Sequence, residues 1–290
     1  MLELAQLNLN APTEVKLGYG GDTLNTAIYL AKFGIDVEYV TALGDDPYSD
    51  WMISQWQQRN VSTTRVRRFS QQLPGLYAID VDNSGERNFF YWRQQSAAKL
   101  LFDKIDVNKI IDWFDSADLI YFSGITLSIY DNSSRVKLLK AIHSLRKKGK
   151  IIAFDPNFRP ALWNSDDEAK DVFSLFLKEV DIALPTFDDE QALYKDNSVL
   201  DTINRFKRSG VAEIVVKDGV KGCTIHFKNK EQSVSVPDSV DPVDTTAAGD
   251  SFNAAYIAAR IHKSSCRQAA LEGHRLAGKV IQHRGAIVDL

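Results

Sequence analysis

From about residue 100 onward, short apolar runs alternate with amphipathic stretches, and this alternation constrains the fold more than any other feature of the chain. Leu119-Ile120-Tyr121-Phe122-Ser123 reads as a buried strand, and 133–147 as an amphipathic helix with a basic end. Strands are expected again at 150–154, 182–184 and 213–217, with helices at 167–178, 188–193 and 202–209 between them. A helix between two strands carries the chain back to its starting edge, so the strands pair in parallel and the helices cover both faces. The expected class is α/β with a mostly parallel central sheet. Ligands in such sheets gather beyond the carboxyl ends of the strands. The loops at 155–160 and 217–222 both follow strands, so both are expected at that rim.

The densest chemistry lies in Val243-Asp244-Thr245-Thr246-Ala247-Ala248-Gly249-Asp250-Ser251-Phe252. The small residues from Thr245 to Gly249 leave the main chain uncovered, so its N–H groups can approach an anion. From Phe252 the pattern turns helical, with Phe252, Tyr256, Ala259 and Ile261 near one face. A helix start here aims N–H groups and a partial positive charge at a phosphate. Asp250 stands at the mouth of that hole, where a carboxylate can take the proton from a hydroxyl attacking phosphorus. Asp is also a favoured N-cap residue, and a capping role competes with that reading.

Gly18-Tyr19-Gly20-Gly21-Asp22-Thr23-Leu24-Asn25-Thr26 precedes Ala27, Ile28, Leu30, Ala31 and Phe33 at helical spacing, and Gly34 ends that helix. The paired glycines permit close approach by a ligand, and Asp22 and Asn25 offer hydrogen bonds to hydroxyls. The alternative is a Gly-rich turn capped by Asp22 or Thr23. Further on, 37–46 reads as strand and loop, 51–59 as a helix and 61–69 as a strand. Residues 76–81 and 88–93 alternate on either side of Asp82-Asn83-Ser84-Gly85, a β-hairpin signal. Tyr77, Tyr91 and Arg93 share one parity, so two phenols and a guanidinium fall on one face. That combination suits a polar ligand carrying a carboxylate. Phe90 and Trp92, of opposite parity, are expected to pack on the body or on another subunit.

Three further stretches bear on the site. Asp155-Pro156-Asn157-Phe158-Arg159 places polar groups and a cation just after a strand; a turn ion pair between Asp155 and Arg159 is the structural alternative. Lys217-Asp218-Gly219-Val220-Lys221-Gly222 reads as a glycine-rich turn, with 223–227 as the returning strand. Asp188, Asp189 and Glu190 make an acidic first turn that stabilises its own helix. Gly273-His274-Arg275-Leu276-Ala277-Gly278-Lys279 matches most of a P-loop, yet Val280 replaces the required Ser or Thr and the preceding residues look helical.

Composition narrows the function classes. The chain has 290 residues, 44% hydrophobic and 25% charged, the balance of a soluble globular protein. A net charge of −3 argues against a nucleic-acid partner. No apolar run is long enough to cross a bilayer, and no secretory signal opens the chain. Cys223 and Cys266 are too few for a disulfide framework and fit a reducing cytoplasm. The five His residues show no metal-ligand spacing.

The run at 243–252 resembles the C-terminal signature of the ribokinase-like (PfkB) sugar kinases, usually Asp-Thr-x-Gly-Ala-Gly-Asp. This chain has Ala247 where Gly is usual, a position that tolerates a methyl group if its backbone is not left-handed. Gly-Gly-Asp-Thr-Leu-Asn at 20–25 resembles the family's sugar-binding signature. Its form, with Pro74-Gly75-Leu76-Tyr77 and Tyr91-Trp92-Arg93, is most similar to the members acting on 2-keto-3-deoxygluconate. Asp155-Pro-Asn-Phe-Arg159 is shared with fructokinases, and Lys217 to Gly222 resembles the nucleotide loop.

The resemblance implies a ribokinase-like three-layer α/β sandwich, one domain over 1–290, with a small β-sheet lid from a hairpin at about 73–95 and from about 11–20. It implies transfer of the γ-phosphoryl group of ATP, with Mg²⁺, to a hydroxyl of a sugar acid. Asp250 would be the base, with Ala247, Ala248 and Gly249 holding charge. Gly21, Asp22, Asn25, Tyr77, Tyr91, Arg93 and Arg159 would bind substrate, Arg159 reaching either the carboxylate or the migrating phosphoryl group. Asn157, Lys217, Gly219, Gly222 and the 247–249 turn would hold the nucleotide, and the C-terminal helix and the Arg284-Gly285-Ala286 turn would flank the adenine. No side chain would bind metal directly, although Asp189 or Glu190 would reach Mg²⁺ through water, with Thr186 standing where the family has Asn. The implied partners are a small sugar acid, ATP and a second copy docked through the lid, in the cytoplasm. Relatives begin with a hydrophobic strand ending in Gly-Glu, ahead of the segment matching Met1-Leu2-Glu3-Leu4, and that strand is expected to be missing. Fructokinase or another hexose kinase is the alternative within the class. A catalytically weak sugar-acid binding protein is the alternative outside it.

Overall fold

A computed structural model describes residues 1–7, 15–81, 87–238 and 240–290, and its contacts group them into two units, Met1–Leu101 and Phe102–Leu290. The first unit contains β1 (Leu2–Leu7), β2 (Lys16–Tyr19), α1 (Asp22–Lys32), β3 (Val37–Glu38), β4 (Thr41–Gly44), α2 (Pro47–Gln58), β5 (Val61–Ser62), β6 (Val66–Phe69), β7 (Leu76–Val81) and β8 (Arg87–Trp92). β1 lies between β2, to which it is antiparallel, and β7, to which it is parallel, and β8 pairs antiparallel with β7. The β3–β5 and β4–β6 pairs are parallel.

Local chemistry explains where these elements begin. Helix α1 starts at Asp22 with Gly21 as its N-cap, so neither Asp22 nor Thr23 caps it. Asp22 instead places a carboxylate in the first turn, where the helix dipole favours it, and Gly34 at φ 74° follows the C-cap. Helix α2 begins earlier than the 51–59 pattern because Asp46 accepts from the N–H groups of Tyr48 and Ser49, both at 3.0 Å, ahead of Pro47. The strand expected over 61–69 is two strands, split where Val66 N–H turns back to Thr63 O at 3.0 Å. The hairpin residues 82–85 lie outside the described residues.

The second unit contains α3 (Val107–Phe114), β9 (Leu119–Ser123), α4 (Gly124–Ile129), α5 (Asn132–Lys147), β10 (Ile151–Asp155), α6 (Asp166–Leu177), β11 (Ile182–Ala183), α7 (Phe187–Tyr194), α8 (Val199–Arg208), β12 (Glu213–Lys217), β13 (Cys223–Phe227), β14 (Lys230–Val234), α9 (Ala248–Ile261) and α10 (Cys266–Val280). Its sheet has the order β14-β13-β12-β11-β10-β9. β9 to β12 run parallel and β13 and β14 add an antiparallel edge. The α/β expectation therefore holds, with Phe154 of β10 edge-on to Phe173 of α6 at 5.7 Å in the core. Helix α9 is buried from Ser251 to Ala259 on every side, while Ile261 is exposed, so the single apolar face expected for it is replaced by near-complete burial. The P-loop-like run at 273–279 lies inside α10 and forms no loop.

Candidate active site

The rim of the parallel sheet in the second unit is built around Asp155, the last residue of β10. Its Oδ1 accepts the Asn157 N–H at 3.1 Å. Its Oδ2 accepts from Asn253 Nδ2 at 2.6 Å and from Lys217 Nζ at 3.2 Å. Lys217 closes β12, and its ammonium also donates to Asn253 Oδ1 at 3.0 Å. Asp155, Asn157, Lys217 and Asn253 are all buried. The turn leaving β10 is pinned from below: a Cβ on Gly124, the first residue of α4, would fall 1.9 Å from Pro156 O. Asn157 itself is left-handed, at φ 37°.

Arg159 does not pair with Asp155. Its guanidinium donates to Asp189 Oδ1 at 3.0 Å and to Phe158 O at 2.7 Å. Burial raises the pKa of Asp189, while Arg159 and Lys217 pull it down and Asp155 adds to the rise. Asp189 thus faces the rim. Glu190 turns away, buried beside Arg205 at 3.0 Å in a geometry that leaves both its carboxylate oxygens without a hydrogen bond. Of the two acidic candidates, Asp189 is the one in the neighbourhood of Asp155, Lys217 and Arg159.

The small-residue turn has Ala247 as N-cap of α9 with φ 61° and ψ 16°. The position is left-handed, so the condition under which alanine is strain-free there is not met. Asp250 is the third residue of the helix and half-buried; it is not the cap. The Ala248 N–H donates to Thr245 O at 3.2 Å and is thereby occupied within the turn. Buried Asp244 ties the approach down, accepting from Thr246 N–H at 3.1 Å and Gly285 N–H at 2.5 Å. A Cβ built on Gly249 would lie 3.6 Å from Lys217 Nζ, which sets that ammonium beside the turn. The glycine-rich turn after β12 is closed by Asp218 N–H donating to Gly222 O at 2.8 Å. Gly219 and Gly222 have φ 50° and 98°, and a Cβ on Gly222 would meet Val234 O at 2.1 Å.

In the first unit a second polar cluster forms around Tyr77. A Cβ on Gly20 would lie 2.6 Å from the Tyr77 hydroxyl and 3.6 Å from Asn25 Oδ1, so a larger residue there must displace that hydroxyl. The Tyr77 hydroxyl donates to Glu3 of β1. Tyr77 stands opposite Tyr91 in the β7–β8 register, and their rings are 6.0 Å apart. The Arg93 guanidinium lies 4.2 Å from the Tyr91 ring centroid. The shared face inferred from parity is therefore present, and Phe90 and Trp92 on the other face are 50% and 60% exposed.

Gly21, Asp22, Asn25, Tyr77, Tyr91 and Arg93 thus belong to the first unit. Asn157, Arg159, Asp189, Lys217, Gly219, Gly222, Ala247, Ala248, Gly249 and Asp250 belong to the second. Glu3, Asp244 and Asn253 receive no individual role from the sequence pattern. Glu3 and Asn253 did leave a signal, as polar residues among apolar ones in a strand and in a helix.

A parallel-sheet rim carrying a carboxylate beside a small-residue helix start, a buried lysine and a glycine-rich turn is the equipment of a phosphotransferase with a ribokinase-like fold. The family model for pfkB family carbohydrate kinases matches residues 2–290, and the chain belongs to that family. It is 43% identical over 292 residues to the 2-dehydro-3-deoxygluconokinase of Haemophilus influenzae, covering 99% of this chain and 93% of that one. It is 31% identical to probable fructokinase-4 of Arabidopsis thaliana, covering 80% of this chain and 70% of that one. The crystal structure of 2-dehydro-3-deoxygluconokinase from Thermotoga maritima superposes with a TM-score of 0.86 at 21% identity, over 100% of this chain and 94% of that one, a likeness of fold.

Proposed function

We propose that this carbohydrate kinase transfers the γ-phosphoryl group of ATP to the terminal hydroxyl of 2-dehydro-3-deoxygluconate, giving the 6-phosphate. The observation that carries this reading is the face shared by Tyr77, Tyr91 and Arg93, a cation with two phenols suited to a sugar acid, in a chain 43% identical end to end to a kinase named for that substrate.

Gly21, Asp22 and Asn25 hold sugar hydroxyls, and Tyr77, Tyr91, Arg93 and Arg159 recognise the carboxylate end. Asn157, Lys217, Gly219, Gly222 and the turn at Ala247, Ala248 and Gly249 hold the nucleotide. Asp250 takes the proton of the attacking hydroxyl; a new oxygen–phosphorus bond forms as the bond to the ADP oxygen breaks, and the proton later leaves Asp250 for solvent. Positioning and charge stabilisation supply most of the rate in such transfers. Mg²⁺ would be carried by the ATP phosphates, with Asp189, which lies beside Arg159 at the rim, reaching it through water. Bound there, Mg²⁺ neutralises phosphate charge.

The exposed Phe90 and Trp92 on β8, at the edge of its sheet, support a homodimer joined through this lid. Among the described residues no helix is long and apolar enough to cross a membrane, and the cytoplasm, where ATP is made available, is the proposed place of action. ATP consumption with 2-dehydro-3-deoxygluconate, detected by aldolase cleavage of the product, tests the assignment. Turnover of fructose in its place would reassign the substrate. Calorimetric binding of the sugar acid with no ATP consumed would make the chain a binding protein.

A further inference from the structure

Asp155, Lys217 and Asn253 close a buried triangle at the ends of β10 and β12 and in the second turn of α9, with an amide at its third corner. Lysine is a point charge on a flexible stem, so its position depends on what it is tied to. Here two acceptors hold it, Asn253 Oδ1 at 3.0 Å and Asp155 Oδ2 at 3.2 Å. An ammonium has three donors, and the third has no further partner among the described residues. Asn253 does two things at once: its oxygen accepts from Lys217 while its Nδ2 donates to Asp155 at 2.6 Å and contacts the Tyr121 hydroxyl at 3.2 Å. A carboxylate at 253 would instead face Asp155 with like charge. The positive corner of the triangle is the one that lies beside Gly249. Asn253 is three residues beyond Asp250, on the same side of the helix.

We propose that Asn253 is a positioning residue: with Asp155 it fixes the Lys217 ammonium against the Gly249 turn, so that a side-chain cation backs the main-chain donors as charge gathers on the transferring phosphoryl group. The proposal rests on the kinase reading above. A buried, pre-oriented charge acts strongly because it needs no reorganisation at the moment of reaction.

The test compares wild type, Asn253→Ala and Lys217→Gln in the full chain. Four quantities are measured: kcat, KM for ATP, thermal midpoint, and affinity for two probes with sugar acid present. One probe is the β,γ-imido analogue of ATP, a ground-state mimic; the other is ADP with aluminium fluoride, a mimic of the transferring group. A lost transition-state contact lowers kcat with KM little changed, so kcat should fall about 10-fold in Asn253→Ala and roughly 100-fold in Lys217→Gln, the scale of a lost oxyanion donor. Aluminium fluoride binding should weaken in proportion in both variants, while imido-analogue binding should hold in Asn253→Ala and weaken by a clearly smaller factor in Lys217→Gln, because Lys217 also holds the nucleotide. Should Asn253→Ala fail to fold, Lys217→Gln still decides, because it removes the charge while Asn253 Nδ2 stays bonded to Asp155 Oδ2. Unchanged kcat in Lys217→Gln, or both probes weakening equally with a falling midpoint, would overturn the positioning role while leaving an active wild type as a kinase. A wild type that phosphorylates neither the sugar acid nor fructose would overturn the kinase reading and this proposal with it.

Discussion

Arg159 is ion-paired with Asp189 at 3.0 Å, and the carboxylate closest to it in the sequence, Asp155, is spent on Lys217, Asn253 and the N–H of Asn157. The Arg159 side chain is half-exposed, so the pair is worth less than about 1 kcal/mol of stability. In the proposed function its importance lies in ligand binding. Replacing Arg159 by Ala should raise KM for the sugar acid about 10-fold or more, the order expected for a lost charge-assisted contact of roughly 1.5–3 kcal/mol. Steady-state kinetics with a denaturation control checks this; an unchanged KM removes Arg159 from the substrate site.

Asp250→Asn should lower kcat by about 10²–10⁴-fold, the usual worth of a positioned general base. Asparagine keeps the shape of a side chain that helix α9 holds half-buried in its first turn. Binding of the imido analogue of ATP should therefore stay within about twofold, since a base acts only as the hydroxyl is deprotonated. A variant retaining near-full rate would reject the base assignment.

Ala247→Gly should stabilise the protein. Alanine at φ 61° bears a left-handed penalty of roughly 1–2 kcal/mol. Glycine removes it at a cost of about 0.4–1 kcal/mol in added unfolded-state freedom. The net, from about zero to about 1.6 kcal/mol, should appear as a higher denaturant midpoint with an unchanged slope. A lower midpoint would mean that the methyl group makes packing contacts worth more than the strain.

Glu190 should make stability fall with rising pH. Burial pushes its pKa up from 4.5 to about 8, against the pull of Arg205. Between these values the folded state holds a proton that the unfolded state has lost, so this group's contribution is full below 4.5 and is lost as pH rises through about 8. In Glu190→Gln that slope is absent. Thermal midpoints from pH 5 to pH 8.5 should therefore drop more steeply in wild type than in the variant, and parallel curves would refute the shift.

The parallel strands were legible because β9, β10 and β12 have apolar cores between polar ends. The face of Tyr77, Tyr91 and Arg93 was legible because strand periodicity is two and the antiparallel register sets Tyr77 opposite Tyr91. Helix α4 escaped notice, since Gly-Ile-Thr-Leu-Ser-Ile is short and β-branched and its start is set by the Ser123 cap. Helix α3 was readable in principle, with Asp106 as its cap ahead of buried Ile110 and Trp113. The Asp155–Asn253 contact joins positions 98 apart in the sequence, and no local pattern announces such a meeting. The frame of the acidic run at 188–190 was likewise undecidable from composition, because only tertiary packing turns Asp189 one way and Glu190 the other.

Gly124 touches no proposed ligand, yet there is no room on it for a single added carbon beside Pro156 O. Any other residue must push the 155–159 segment outward or drag helix α4 with it. A mutational scan scored by enzymatic output would therefore mark this position as intolerant as the reactive groups themselves, and an observer ranking residues by sensitivity alone would mistake a spacing constraint for chemistry.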